Sequence, residues 1–95
     1  MIIIQLTYTK PLEDIDAHLS EHRDFLSGLY ERGVLLASGP QEPRTGGIII
    51  SLLDDMTELK NIMADDPFNQ AGLCDYAYTR FNAVKCHHQL QLLIK

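Results

Sequence analysis

Two hydrophobic periods alternate along the chain, and their order leaves few folds open. Ile2, Ile4, Leu6 and Tyr8 recur at every second residue, with Ile3, Gln5 and Thr7 between them, so residues 2–8 predict a strand. Beyond Pro11 the period lengthens. Ile15, Leu19, His22, Leu26 and Leu29 recur at spacings of three and four, which predicts one helix over 12–32, with Asp14 or Asp16 near its start and Gly33 stopping it. Residues 34–37 predict a short strand running into Ser38-Gly39-Pro40, and Pro43 and Gly46-Gly47 mark the loop that follows. Residues 48–53 predict an apolar strand bounded by Asp54-Asp55, and 57–64 a second helix ended by Asp65-Asp66-Pro67. A short turn or helix over 68–71 and a last strand over 75–84 complete the pattern.

Strand, helix, strand, strand, helix, strand is the βαββαβ order of the ferredoxin-like, split βαβ α+β fold: an antiparallel sheet with two helices on one face. The chain has 95 residues, one domain's worth. Ile3, Ile49 and the aromatic residues of the last strand suggest apolar side chains on the uncovered sheet face as well. An exposed apolar face on so small a domain predicts a homodimer or higher homo-oligomer. The expected division is a domain over 1–85 and a C-terminal extension over 86–95, whose Leu90, Leu92, Leu93 and Ile94 suit packing on a partner subunit.

Charge and composition narrow the function. The net charge is −5 and the eight basic residues are scattered, so no basic face is available to neutralise phosphates and no nucleic-acid partner is expected. No apolar run approaches the length of a membrane span, and the first residues read as a strand and not a signal peptide. The expected compartment is the cytoplasm. Cys74 and Cys86 lack CxxC spacing and, in a reducing compartment, read as free thiols.

The residue out of place is His22, a titratable imidazole in an apolar stripe. It is either a hydrogen-bonded core histidine or a catalytic group held in a cleft. A carboxylate on one ring nitrogen would fix its tautomer, and Asp66 is the best candidate. Asp followed by Pro is also a standard helix start, so Asp66 reads as a cap alone or as a cap that also serves a site. Ser38-Gly39-Pro40 reads as a common turn or as a place where a ligand approaches the backbone, with Ser38 donating. His18, Glu21 and His22 match the His-x-x-Glu-His zinc pattern superficially, but a third ligand is not evident. Cys86-His87-His88 also looks metal-binding, yet adjacent residues rarely all reach one ion, and a solvated or interface segment fits better. Tyr76, Tyr78 and Arg80 alternate along the last strand; they line a pocket or cover a dimer face, and the interface is the preferred reading.

Taken together, His22, Gly33-Val34-Leu35-Leu36-Ala37-Ser38-Gly39-Pro40, Ile48-Ile49-Ile50, Asp65-Asp66-Pro67-Phe68 and Ala71-Gly72-Leu73 resemble the YciI-like (YCII-related) family over nearly the whole chain, to about Val84. The resemblance implies a dimeric α-β barrel with a cleft holding a His-Asp pair, matched here by His22 and Asp66. It implies that the turn matched by Ser38, Gly39 and Pro40 borders that cleft. Dehydrochlorination of a chlorinated aromatic intermediate is one activity in the family, and most members have no assigned reaction. This chain departs from the usual pattern in the short loop 41–47 and in the tail after Val84. The expectation is a small-molecule lyase or isomerase using His22 and Asp66 for acid–base catalysis, without metal or cofactor. Ser38, Gly39 and Pro40 would bind the substrate. The alternative is a non-catalytic small-ligand-binding or accessory dimer.

Overall fold

The structure is a computed structural model, described over residues 1–94; Lys95, the last residue of the expected extension, lies outside that range. The alternating run at the start forms β1 (Ile2–Tyr8). It lies inside a four-stranded sheet of order β2-β3-β1-β4, where β2 is Leu35–Pro40, β3 is Gly46–Ser51 and β4 is Cys74–Arg80. Every adjacent pair is antiparallel. Each crossover therefore skips one strand: β3 lies between β1 and β2, and β1 between β3 and β4. This is the split βαβ arrangement of the ferredoxin-like fold. Ile2, Ile4 and Leu6 are buried, and with Ile49 they form one cluster with Ile15, Leu26, Leu29, Leu59, Met63 and Phe68 from the helices. All the helical segments contributing to that cluster thus pack on one face of the sheet.

The first predicted helix is in fact two segments, α1 (Leu12–Ala17) and α2 (Leu19–Glu31). His18 leaves the helical region at φ −110°, ψ 3°, without a Gly or Pro to signal the break. The end of α2 follows the sequence closely. Gly33 takes φ +72°, and its N–H and that of Val34 bond the carbonyls of Tyr30 and Leu29, the left-handed stop that glycine supplies without a Cβ clash. The second half of the chain gives α3 (Met56–Met63), capped by the Asp55 side chain, and a one-turn α4 (Pro67–Gln70).

Register corrects the expected facing of two strands. Ile49 lies opposite Ile4, while Tyr78 and Tyr76 lie opposite Ile4 and Leu6. Directly opposed residues share a face, so all three turn toward the helices and not toward the outer face. That outer face carries Ile3, Ile48 and Ile50, with Ala77 opposite Gln5. An unbroken Ile48-Ile49-Ile50 run has no alternation from which parity is readable, and a one-residue slip exchanges the two faces. The hairpin sets the parity instead. Gly46 presses against the β1 backbone, where an added Cβ would fall 1.8 Å from the Leu6 carbonyl oxygen.

Cys74 and Cys86 are both free, the first buried and the second half-buried. Burial, reinforced by the charges of Asp66 and Asp75, pushes the Cys74 thiol from 9.0 up to about 11. Its folded-state value lies above its unfolded one, so the stability it contributes is complete below pH 9 and is lost as pH rises through 11. Between those limits the urea midpoint should fall more steeply in the native chain than in Cys74→Ala. At neutral pH a maleimide should label Cys86 in the native chain, with Cys74 reacting only after denaturation.

Candidate active site

His22 stands one turn into α2, facing the core, and Asp66 stands at the N-cap of α4. The apolar stripe of α2 seats the first, and the Asp-Pro step seats the second. His22 is 8% exposed and Asp66 is fully buried. His22 Nδ1 lies 2.7 Å from Asp66 Oδ1. A carboxylate oxygen accepts, so Nδ1 is the donor, and in the neutral ring Nε2 is the nitrogen with a lone pair. The imidazole is stacked on the ring of Phe68, with centroids 3.9 Å apart and planes 3° from parallel; Tyr8 meets Phe68 edge-on at 6.5 Å. Packing on one side and a hydrogen bond at one edge leave the ring little freedom to rotate.

Asp66 caps a helix and also holds the histidine. Its Oδ1 accepts from the Phe68 backbone N–H at 3.1 Å as well as from His22. Its Oδ2 accepts from the Tyr76 hydroxyl at 2.6 Å. Tyr76 therefore serves this cluster, which corrects the interface reading of the sequence. Burial, with the hydrogen bond to Asp66 next in weight, drives the Tyr76 phenol well above the ordinary tyrosine range. It stays a protonated donor at any working pH. Tyr78 is also raised by burial; its ring sits 5.3 Å from the Lys60 ammonium.

A cavity of about 480 Å³ opens beside His22. Leu6, Leu26, Ile49 and Phe68 give it an apolar wall, and Ser38, Gly39 and Pro40 border it. The five residues singled out in the sequence are thus near one another, but in two groups. His22 and Asp66 are bonded; Ser38 is not bonded to either. The Ser38 hydroxyl pairs with the Tyr30 hydroxyl at 2.7 Å.

Arg23 and Arg44 line the same cavity, and the sequence reading passed over both. Arg23 had a signal available. Leu19, His22, Arg23 and Leu26 are the i, i+3, i+4, i+7 set of α2, so the arginine, though exposed, lies along the edge of the apolar stripe. Arg44, on the 41–47 loop, reaches back to Asp16 Oδ1 at 2.6 Å and lies 5.9 Å over the Tyr8 ring. The hydrogen bonds to Asp16 and then Tyr8 raise its pKa further, so it is a permanent cation. No local pattern announces a contact between residues 16 and 44.

The zinc pattern does not assemble. The helix breaks at His18, and His18 Nδ1 meets the Asp14 carbonyl at 3.1 Å. Among the described residues no group of three or more His, Cys, Asp or Glu side chains is placed to hold a metal. In the tail, His87 caps a short helical turn (His88–Leu90) by accepting from the Gln89 N–H.

This split βαβ domain matches the model of the YCII-related domain over residues 1–82. The chain belongs to that family. No curated protein matches it. Among solved structures it is similar to a 5-chloro-2-hydroxyhydroquinone dehydrochlorinase from Burkholderia phenoliruptrix, in complex with 2,5-dihydroxybenzoquinone. The TM-score is 0.71 at 20% identity, over 86% of this chain and 94% of that one. At that identity the likeness speaks for the fold.

The Tyr76 contact has a measurable consequence. Tyr76→Phe removes one donor from a buried carboxylate and leaves packing nearly unchanged. A hydrogen bond to a charged group contributes about 1.5–3 kcal/mol, and urea denaturation should show a loss of that order. An unchanged midpoint would mean that the phenol does not hold Asp66.

Proposed function

We propose that this protein is a small-molecule lyase or isomerase that moves a proton through His22, with Asp66 as the group that orients it. The observation that carries this reading is the 2.7 Å bond between His22 Nδ1 and Asp66 Oδ1 at the edge of an apolar cavity. With Nδ1 committed, Nε2 is the base. It takes a proton from a bound substrate, and the imidazolium so formed is stabilised by a carboxylate already held in place by Phe68 N–H and Tyr76. The same nitrogen then returns the proton at a second atom in an isomerisation. In an elimination the leaving group departs with the bonding electron pair instead. Tyr76 is a positioning residue: it touches Asp66 and not the cavity. Ser38 and the Gly39 backbone border the place where a substrate oxygen would sit. The dehydrochlorinase likeness supports the elimination form of this reading, because that reaction also needs a base and a departing anion.

General acid–base catalysis of this kind contributes roughly 10²–10⁴-fold. Turnover is to be sought among small activated C–H and chlorinated hydroxyaromatic compounds, 5-chloro-2-hydroxyhydroquinone included, by solvent deuterium exchange and chloride release. His22→Gln should abolish whatever turnover is found and keep the native circular dichroism. Asp66→Asn should cost a similar factor, because an asparagine amide can donate to Nδ1 and favour the opposite tautomer. Long-range ¹⁵N–¹H correlations of the His22 ring read that change directly: protonated Nδ1 in the native chain, protonated Nε2 in the variant. Full turnover in His22→Gln, or the same tautomer in both proteins, would remove the pair from the mechanism. Tight ligand retention without product would move the non-catalytic binding reading ahead.

The outer sheet face supports a second part of the proposal, a homodimer of the α-β barrel kind acting in the cytoplasm. Ile3 and Ile50 lie side by side there, with Ala37 next to Ile50, and the exposed Leu92 and Leu93 of the tail add apolar surface for packing on a partner. No helix among the described residues is long and apolar enough to cross a membrane. Ile50→Lys places an ammonium on that face. Light scattering should report a dimer for the native chain and a monomer for the variant; identical masses would mean that this face is not the contact.

A further inference from the structure

The two arginines of the cavity say what kind of molecule fits it. The chain is acidic overall, with 13 Asp and Glu against 8 Lys and Arg. Yet both of the formally charged Asp, Glu, Lys or Arg residues lining the cavity are cations, and no acid lines it. Arg23 has no ion-pair partner among the described residues. Its side chain is exposed, yet it lines the cavity beside Leu19, His22 and Leu26 of the same helix. Arg44 has one acidic partner, Asp16, through one nitrogen. A guanidinium carries five N–H donors in a fixed fork, so most of its capacity is unspent. The contact with Asp16 is partly exposed, and such pairs are worth little and open readily. The same cavity has an apolar lining in Leu6, Leu26, Ile49 and Phe68. The volume, about 480 Å³, is that of a small-ligand pocket.

We infer that the cavity takes a small organic anion, its charged end held by Arg23 and Arg44 and its apolar body lying along the wall beside His22 and Phe68. The inference rests on the proposed function for the site's use but not for its occupancy, since binding needs no turnover. The arginines fix which end of the molecule faces away from the imidazole. They also raise the local concentration of anions at the mouth of a protein whose net charge repels them.

The test uses benzoate as the probe and benzamide as its neutral isostere. Both are titrated into the full-length ¹⁵N-labelled chain, with the amide signals of His22, Gly39 and Gly47 as the readout. Benzoate should shift those signals saturably and bind at least about tenfold tighter than benzamide, as expected for charge-assisted hydrogen bonds to a carboxylate. Arg23→Gln and Arg44→Gln should each weaken benzoate by about tenfold. Arg32→Gln, which removes the same charge outside this cavity, should leave benzoate affinity unchanged. Equal binding of benzoate and benzamide overturns the inference. So does a loss in Arg32→Gln as large as in the cavity variants, or an absence of shifts at 100 mM benzoate. The two readings fail separately. Arginine-dependent benzoate binding beside full turnover in His22→Gln would keep the anion site and discard the acid–base mechanism.

Discussion

A fully buried carboxylate is tolerable only if its oxygens are occupied, and Asp66 meets that condition with donors from three separate elements. His22 comes from α2, the Phe68 N–H from α4 and the Tyr76 hydroxyl from β4. Taking an ionised group out of water costs several kcal/mol unless hydrogen bonds replace the water it loses. The three donors do that, and they also cross-link helices to sheet at the point where the short α4 packs. The dependence runs both ways. α4 has only four residues and no stability of its own, so Asp66 must cap it for Phe68 to stand where it does. Phe68 in turn is the surface on which the His22 ring is stacked.

From this arrangement a division of labour follows for a histidine that is otherwise ordinary. One ring edge is committed to the carboxylate and one face to an aromatic ring, which leaves a single ring nitrogen uncommitted. Orientation is thereby settled in the folded state, so little entropy would remain to be lost in the reaction proposed above. Tyr76 adds to this without approaching the cavity. Its raised pKa means that it does not compete with the imidazole for protons; it donates to Asp66 throughout the range in which a histidine works.

Much of the fold was legible because period and punctuation agree. Residues 2–8 alternate cleanly, and Gly33 ends α2 where the stripe of Leu26 and Leu29 ends. The histidine was legible as an intruder in that stripe, and the Asp-Pro step as a cap. Three things were not legible, for different physical reasons. The parity of β3 is hidden in an unbroken isoleucine run and is set by the Gly46 hairpin, a long-range contact with Leu6. The break at His18 has no residue of low helix propensity to mark it. Tyr76 reads as one of two alternating tyrosines, and only the pairing of β4 with β1 brings it over Asp66. Arg23 is exposed, as its charge suggests, and only the cavity formed between α2 and the sheet gives it a place beside His22.

Ser38 to Pro40 link the two faces of the sheet. They border the His22 cavity, and with Ala37, Ile48 and Ile50 they also line a smaller depression of about 270 Å³. β2 is an edge strand here, and Gly39 and Gly47 leave the backbones close: a Cβ on Gly47 would lie 3.2 Å from the Gly39 carbonyl oxygen. Whatever covers the outer face at Ile48 and Ile50 therefore bears on the same three residues that border the cavity. The His22–Asp66–Tyr76 cluster is different. It is built wholly from one chain, on the helix side, with all its hydrogen bonds internal. Association through the outer face would consequently alter the shape and access of the cavity through the Ser38–Pro40 backbone while leaving the tautomer of the histidine untouched. For the acid–base reaction proposed above, such a change would act on substrate binding, and the proton-transfer step would keep its own determinants.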